Sequence, residues 1–312
     1  MSTAANMVLG ALVADAASLG VHWIYEPERL TQIADRQDGR TAFTTPDAEN
    51  YADVMGYFAH AARENGMLTQ YGEALLLAVR SINAQDSYDT DAHAEAFAAH
   101  FGAGGTYSGY IDRPTRGALA NIADEKTPSG IDDDQLPATA TLPAIMARYG
   151  STDQMDDMRQ AAMQVTNVNG VAEAYSAIFA DVLGRVLSGA PVSEALRDVA
   201  KGATGEVGDA LTDALDTQTA NSIFYGETTG RACHLPMGGP LAFHILHRAE
   251  TFADAIERNN RAGGDSAGRA ILIGAVMAAA HGVASPKGIP LAWVLSLHDA
   301  RGIWDDCTAL AP

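Results

Sequence analysis

Two glycines, Gly263 and Gly264, lead into a carboxylate and a hydroxyl, Asp265 and Ser266, and the chain then runs small or apolar as far as Ala280 apart from Arg269. Glycine lets a backbone approach another segment closely, and Asp and Ser are good N-cap residues. A helix that apolar has no solvent face and belongs inside the fold. A carboxylate and a hydroxyl at the mouth of a buried helix suit polar chemistry, with Asp265 as a general base or water-positioning group. The plainer reading is that Asp265 only caps the helix. Arg269 lies four residues on, so it shares a helix face with Asp265; it can pair with it or grip a carboxylate or phosphate.

Other residues of useful type are scattered. His22, Trp23 and Tyr25 supply rings that stack on a sugar or base, or pack as core. His234 follows Cys233 in a Gly/Pro-rich connector, and Asn167 precedes a strongly amphipathic stretch. Cys233 has no base partner in sequence, and His244 and His247, three apart, are a weak metal spacing. Dinucleotide, P-loop, Ser-elbow and CxxC patterns are missing, which removes dinucleotide, NTPase, esterase and thiol-redox readings.

The elements that must position these groups are helices. Val8, Leu9, Leu12, Val13, Ala16 and Leu19 fall on one helical face, as do Val171, Tyr175, Ile178, Phe179, Val182, Leu183, Val186 and Leu187. Similar spacing predicts helices over 51–64, 68–83, 90–103, 114–123, 138–149, 155–164, 192–201, 206–217, 239–248, 251–261 and 290–298. Loops are expected at 36–48, 104–113, 124–136 and 219–238. Period-2 alternation is almost absent. The chain reads as all-α, and since no loop resembles a linker, residues 1–312 are expected to form a single domain.

Composition narrows the partners. The 312 residues carry a net charge of −19, and only Lys126, Lys201 and Lys287 are lysines. A protein this acidic is a poor partner for nucleic acid or an anionic membrane. The longest apolar run noted, 270–280, is shorter than the roughly 18 residues of a membrane span. With two cysteines and no basic leader at the N-terminus, the expected location is the cytoplasm.

Several segments together resemble the ADP-ribosylglycohydrolase family. GALVADAASLGVHWIYEPERL (10–30) is similar to its opening helix and loop, NGMLTQYGEALL (65–76) sits at its first metal motif, Thr-Asp-Asp, FADAIERNNRAGGDSAGRAILIGAVMAAAHG (252–282) is similar to its Gly-Gly-Asp-Thr-Asp-Thr closing motif, and GIPLAWVLSL (288–297) to its tail. The resemblance implies a single large orthogonal helical bundle. It also implies two Mg²⁺ ions, but here Gln70 and Tyr71 stand for the two aspartates after Thr69, and Ala267 and Gly268 for the Asp and Thr after Ser266. His22 to Pro27 resembles a divergent branch that includes the jellyfish J-type crystallins and selenoprotein J.

Two dications about 4 Å apart repel by roughly 17 kcal/mol at an effective dielectric near 20. Asp265 is the one matched carboxylate, and Glu73, one turn after Thr69, the one plausible addition; two acids do not neutralise four positive charges. The expectation is therefore no metal and no cofactor, Mg²⁺ having at most a depleted ligand set. The chain is expected to be a small-molecule hydrolase cleaving a C–N or related bond, with Asp265 catalytic, Glu73 its helper, and His22, Trp23, Tyr25, Thr69, Gln70, Tyr71, Asn167, His234, Ser266 and Arg269 around the substrate. The alternatives are a catalytically silent binding or structural protein on the same fold and a Mg²⁺-dependent ADP-ribosylglycohydrolase.

Overall fold

The computed structural model describes residues 1–311. Among them lie seventeen α-helices, and β-structure is limited to four isolated bridges. Two helices form the axis, Thr3–Ser18 and Ser266–His281, and nearly every residue of both is buried. Their sequences explain the pairing. A Cβ on Gly10 would lie 2.2 Å from the Ala278 Cβ and 2.6 Å from the Gly274 carbonyl oxygen, and one on Gly274 would lie 2.4 Å from the Ala14 Cβ. Glycine at these two positions lets the backbones touch, and a larger residue would force the helices apart. Gly10 meets Ala278 while His22, beyond the far end of the first helix, meets Asp265, so the pair runs antiparallel.

Around this axis pack Gln70–Gln85, Leu142–Tyr149, Gly170–Leu187, Leu235–Arg248 and Phe252–Ala262. Their apolar faces join those of the axial helices in one large hydrophobic cluster. The amphipathic residues singled out around 171–187 behave as their spacing predicts: Tyr175, Phe179, Val182, Leu183 and Val186 face inward.

Three sequence expectations need correction. Residues 51–64 are not helical: after a short turn at Ala48–Tyr51 the chain runs irregularly to Thr69. Arg29 accounts for part of this, because its guanidinium donates to the carbonyls of Glu49, Asn50 and Ala52 and so fixes the start of the segment outside helical geometry. The stretch 219–238 is not all loop but carries a helix at Ser222–Thr229, capped by Asn221. Finally, Thr3–Val21, 19 residues of mean hydropathy 1.6, is long and apolar enough to cross a membrane by length and composition alone; 89 % of its window is buried against the rest of the fold.

Candidate functional site

The site forms where the axial helices open. Gly263 and Gly264 both take positive φ, 77° and 69°, and a Cβ on Gly264 would lie 2.0 Å from the Arg231 carbonyl oxygen. The loop is stitched to its neighbours by backbone bonds: Trp23 N–H to Gly264 O at 2.8 Å, Gly264 N–H to Ile24 O at 2.8 Å, and Asp265 N–H to Arg231 O at 2.9 Å. Trp23 itself has φ 68°. A bulky residue there is a conformational outlier of the kind held only where surrounding contacts over-determine it, often at functional sites.

Asp265 is wholly buried, and protein donors occupy both of its oxygens. Oδ1 accepts from His22 Nε2–H at 2.9 Å and from Gly268 N–H at 2.9 Å; Oδ2 accepts from the Tyr71 hydroxyl at 2.7 Å. Burial alone would push this carboxyl up, but the charge and hydrogen bond of His22, with the Tyr71 and Gly268 bonds, outweigh it and hold it below the ordinary value. Tyr71 responds in the opposite sense, its hydroxyl driven well above the usual range by burial and by Asp265. Behind His22 stands His60, whose Nε2 is 2.7 Å from His22 Nδ1 with the rings stacked at 5.0 Å. Burial, then His22 and Arg63, holds His60 well below its ordinary value, and its Nδ1 has no partner.

The first-motif segment is bound differently. Thr69 is the N-cap of the Gln70–Gln85 helix and donates its N–H and hydroxyl to the two oxygens of buried Asp15, at 2.7 and 2.5 Å. Burial pushes Asp15 up to about 7 despite these bonds. Gln70 donates its amide to Asp112 Oδ2 at 2.6 Å, while Asp112 Oδ1 caps the Arg113–Ala123 helix by accepting from Thr115 N–H. Asp112 is likewise pushed up, to about 6, chiefly by burial.

Toward solvent lies an aromatic wall. Trp23 meets Tyr110 edge-on at 4.9 Å and Tyr57 at 6.1 Å, and Tyr57 meets Tyr110 at 5.6 Å. Tyr25 and Cys233 lie close enough to Asp265 to feel its charge; burial first and Asp265 second push each up to about 12. The sequence reading missed His60, Tyr57, Tyr110 and Asp112. All four lie in or beside irregular segments, and only the His22–Trp23 aromatic pair hinted that more rings would gather there.

The structure does not bring every expected residue to Asp265. Glu73 turns away into a separate cluster with Arg63 and with His100, whose Nε2 is 3.2 Å off, and these partners hold it below its ordinary value despite burial. Arg269 forms no ion pair with Asp265. Its guanidinium is fully buried and donates to Asn259 Oδ1, Asn259 O, Gly263 O and Arg231 O, which locks the glycine loop. Burial lowers it to about 10. Asn167 donates to the Asp133 carbonyl at 2.8 Å, and half-exposed His234 pairs with Asp134 at 2.5 Å. Ser266 is buried with its hydroxyl unpartnered.

These donors bear on metal binding. Mg²⁺ needs several free oxygen ligands in an octahedron. Here the Asp265 oxygens already accept from three protein donors, Gln70 spends its amide on Asp112, and Asp15 is held by Thr69. Among the described residues no group of three or more His, Cys, Asp or Glu side chains is arranged to hold a metal ion. The residues present do not fit a pair of Mg²⁺ ions.

Comparison with known proteins points one way. The family model described as ADP-ribosylglycohydrolase matches residues 1–312. Two curated relatives, crystallin J1A and crystallin J1B of Tripedalia cystophora, are each 25 % identical, over 92 % of this chain and 89 % of theirs. A solved structure titled ADP-ribosylglycohydrolase-related protein complex superposes with a TM-score of 0.69 at 15 % identity, covering 99 % of this chain and 97 % of that one, which is a likeness of fold.

Proposed function

The chain belongs to the ADP-ribosylglycohydrolase family, and from that premise we propose that it is a metal-free small-molecule-binding protein on the glycohydrolase fold. The observation that carries this reading is the state of Asp265: fully buried, with both oxygens satisfied by His22, Tyr71 and the Gly268 amide. A two-metal hydrolase needs that carboxylate open to metal and water; here it is a structural anchor beneath the wall of Trp23, Tyr57 and Tyr110. A ligand of this site is a flat base or sugar that stacks on those rings. The crystallin relatives support a role without turnover, since the name given to them is that of a lens protein.

Hydrolysis without metal is a second reading, favoured by the chain of contacts Asp265–His22–His60. A proton taken up at the unpartnered His60 Nδ1 can be passed from Nε2 to His22, whose imidazolium the charged Asp265 carboxylate stabilises without taking the proton. This is general-base chemistry of a kind His and carboxylate perform together. One experiment separates the readings. Wild type, Trp23→Ala and His60→Gln are screened against nucleosides, N-glycosides and ADP-ribose derivatives for melting-point shift and for product. Binding requires shifts that Trp23→Ala removes, without product; hydrolysis requires product that His60→Gln abolishes; no shift and no product with wild type sinks both.

A further inference from the structure

Beside Gln70 is a small cavity lined by Gln70, His93, Asp112, Thr115, Thr141 and Thr166 among apolar neighbours. About 10 Å³ of it is open to the centre of a water-sized sphere, close to the minimum that holds one water. Two of its lining residues each carry a buried side-chain atom without a hydrogen-bond partner, Gln70 Oε1 and His93 Nδ1. Both side chains are nearly inaccessible, at 3 % and 1 % exposure. Gln70 has no choice in the matter: its amide nitrogen is committed to Asp112 Oδ2 at 2.6 Å, so its carbonyl oxygen must face elsewhere. Orphaned buried polar atoms are uncommon and destabilising. Two such residues lining one small cavity point to a shared partner.

We propose that this cavity is a site for one ordered water, which donates to Gln70 Oε1 and bonds His93 Nδ1. Anything larger than water is excluded by the volume. His93, held near 4 by burial, is neutral at physiological pH, so the cavity carries no opposing cation. The water fixes the orientation of the Gln70 amide and through it the Asp112 carboxylate beside the aromatic wall. It is thus a positioning element of the site, held in part by the helix Thr90–Phe101, which supplies His93 and Phe97 to the cavity.

The test is a high-resolution crystal structure of the wild type together with His93→Phe and His93→Asn. Phe keeps the ring and removes the nitrogen, while Asn returns a polar atom near the Nδ1 position. The expected results are a water peak within hydrogen-bond distance of Gln70 Oε1 in the wild type and in His93→Asn, its loss in His93→Phe, and a lower melting temperature for His93→Phe than for wild type. A cavity without density in the wild type overturns the proposal. So does a Gln70 amide turned to place Nε2 against His93, or a His93→Phe protein that melts higher than wild type, as removal of a truly unpartnered nitrogen would produce.

Discussion

Asp265 and Asp15 are both fully buried, both face the Gln70–Gln85 helix, and both are bonded through their two oxygens, yet burial wins at one and loses at the other. Asp15 is pushed up to about 7. Asp265 is held below the ordinary carboxylate value. The difference lies in the donors. Asp15 receives neutral donors from Thr69 and Gly72, and the charge of Glu73 works against it. Asp265 receives the imidazole of His22 and the hydroxyl of Tyr71, with no acid prominent among its influences. In a low-dielectric interior the identity of the donor decides whether a carboxylate stays charged. Two carboxylates against one helix have thus become unlike, one kept ionic and one held close to protonation.

The comparison can be broken at Asp265 first. Asp265→Asn turns one oxygen into a donor facing His22 or Tyr71 and leaves that partner unsatisfied in the core. Removing one partner of a buried ionic contact costs about 3–5 kcal/mol. Urea unfolding of this variant is expected to show a loss of that size, and a loss below about 1 kcal/mol would mean that Asp265 is not the anchor described.

Asp15→Asn sharpens the contrast through pH. A folded-state pKa raised above the unfolded value favours folding where the carboxyl is protonated, so that contribution is present below about 4 and is lost as pH rises through about 7. Wild-type stability is therefore expected to decline between pH 4 and pH 7 by an amount that Asp15→Asn removes. For Asp265 the sign reverses: its contribution is present above the ordinary carboxylate value and disappears as pH falls through the lower folded value. Melting curves from pH 3 to pH 8 on both variants check the two signs together, and parallel curves for Asp15→Asn and wild type would refute the assignment.

A smaller effect is expected of Tyr71→Phe, which deletes one of three donors to Asp265 and leaves His22 and Gly268. The expected cost is about 1–2 kcal/mol, with the acid limb of the stability profile moved to higher pH because the carboxylate loses a bond that favours its charge. Smallest in stability is Trp23→Gly. It loses ring contacts but relieves the left-handed backbone at φ 68°, so stability changes little while stacking ligands are lost.

Much of this was legible in the chain. The helix after Asp265 announced itself by its small apolar run, Asp265 by its capping chemistry, and the all-helical architecture by its periodicity. Asp265 and Arg269 were rightly placed on one helix terminus, but four-residue spacing does not dictate the partner. Asp265 turns back to cap Gly268, and Arg269 reaches the carbonyls of Asn259, Gly263 and Arg231. Glu73 shares its helix with Tyr71, yet two residues on an α-helix turn by about 200°, so one faces Asp265 and the other Arg63. His60, Tyr57 and Tyr110 were illegible because they ride on irregular segments whose course is set by tertiary contacts such as those of Arg29.

Calorimetric titration with Mg²⁺ tests the central claim most directly, that protein donors have taken the place of metal at Asp265. The account predicts no binding heat at millimolar Mg²⁺ and a melting temperature indifferent to Mg²⁺ or to a chelator. Two ions bound per chain at micromolar affinity, with a matching rise in melting temperature, would contradict it.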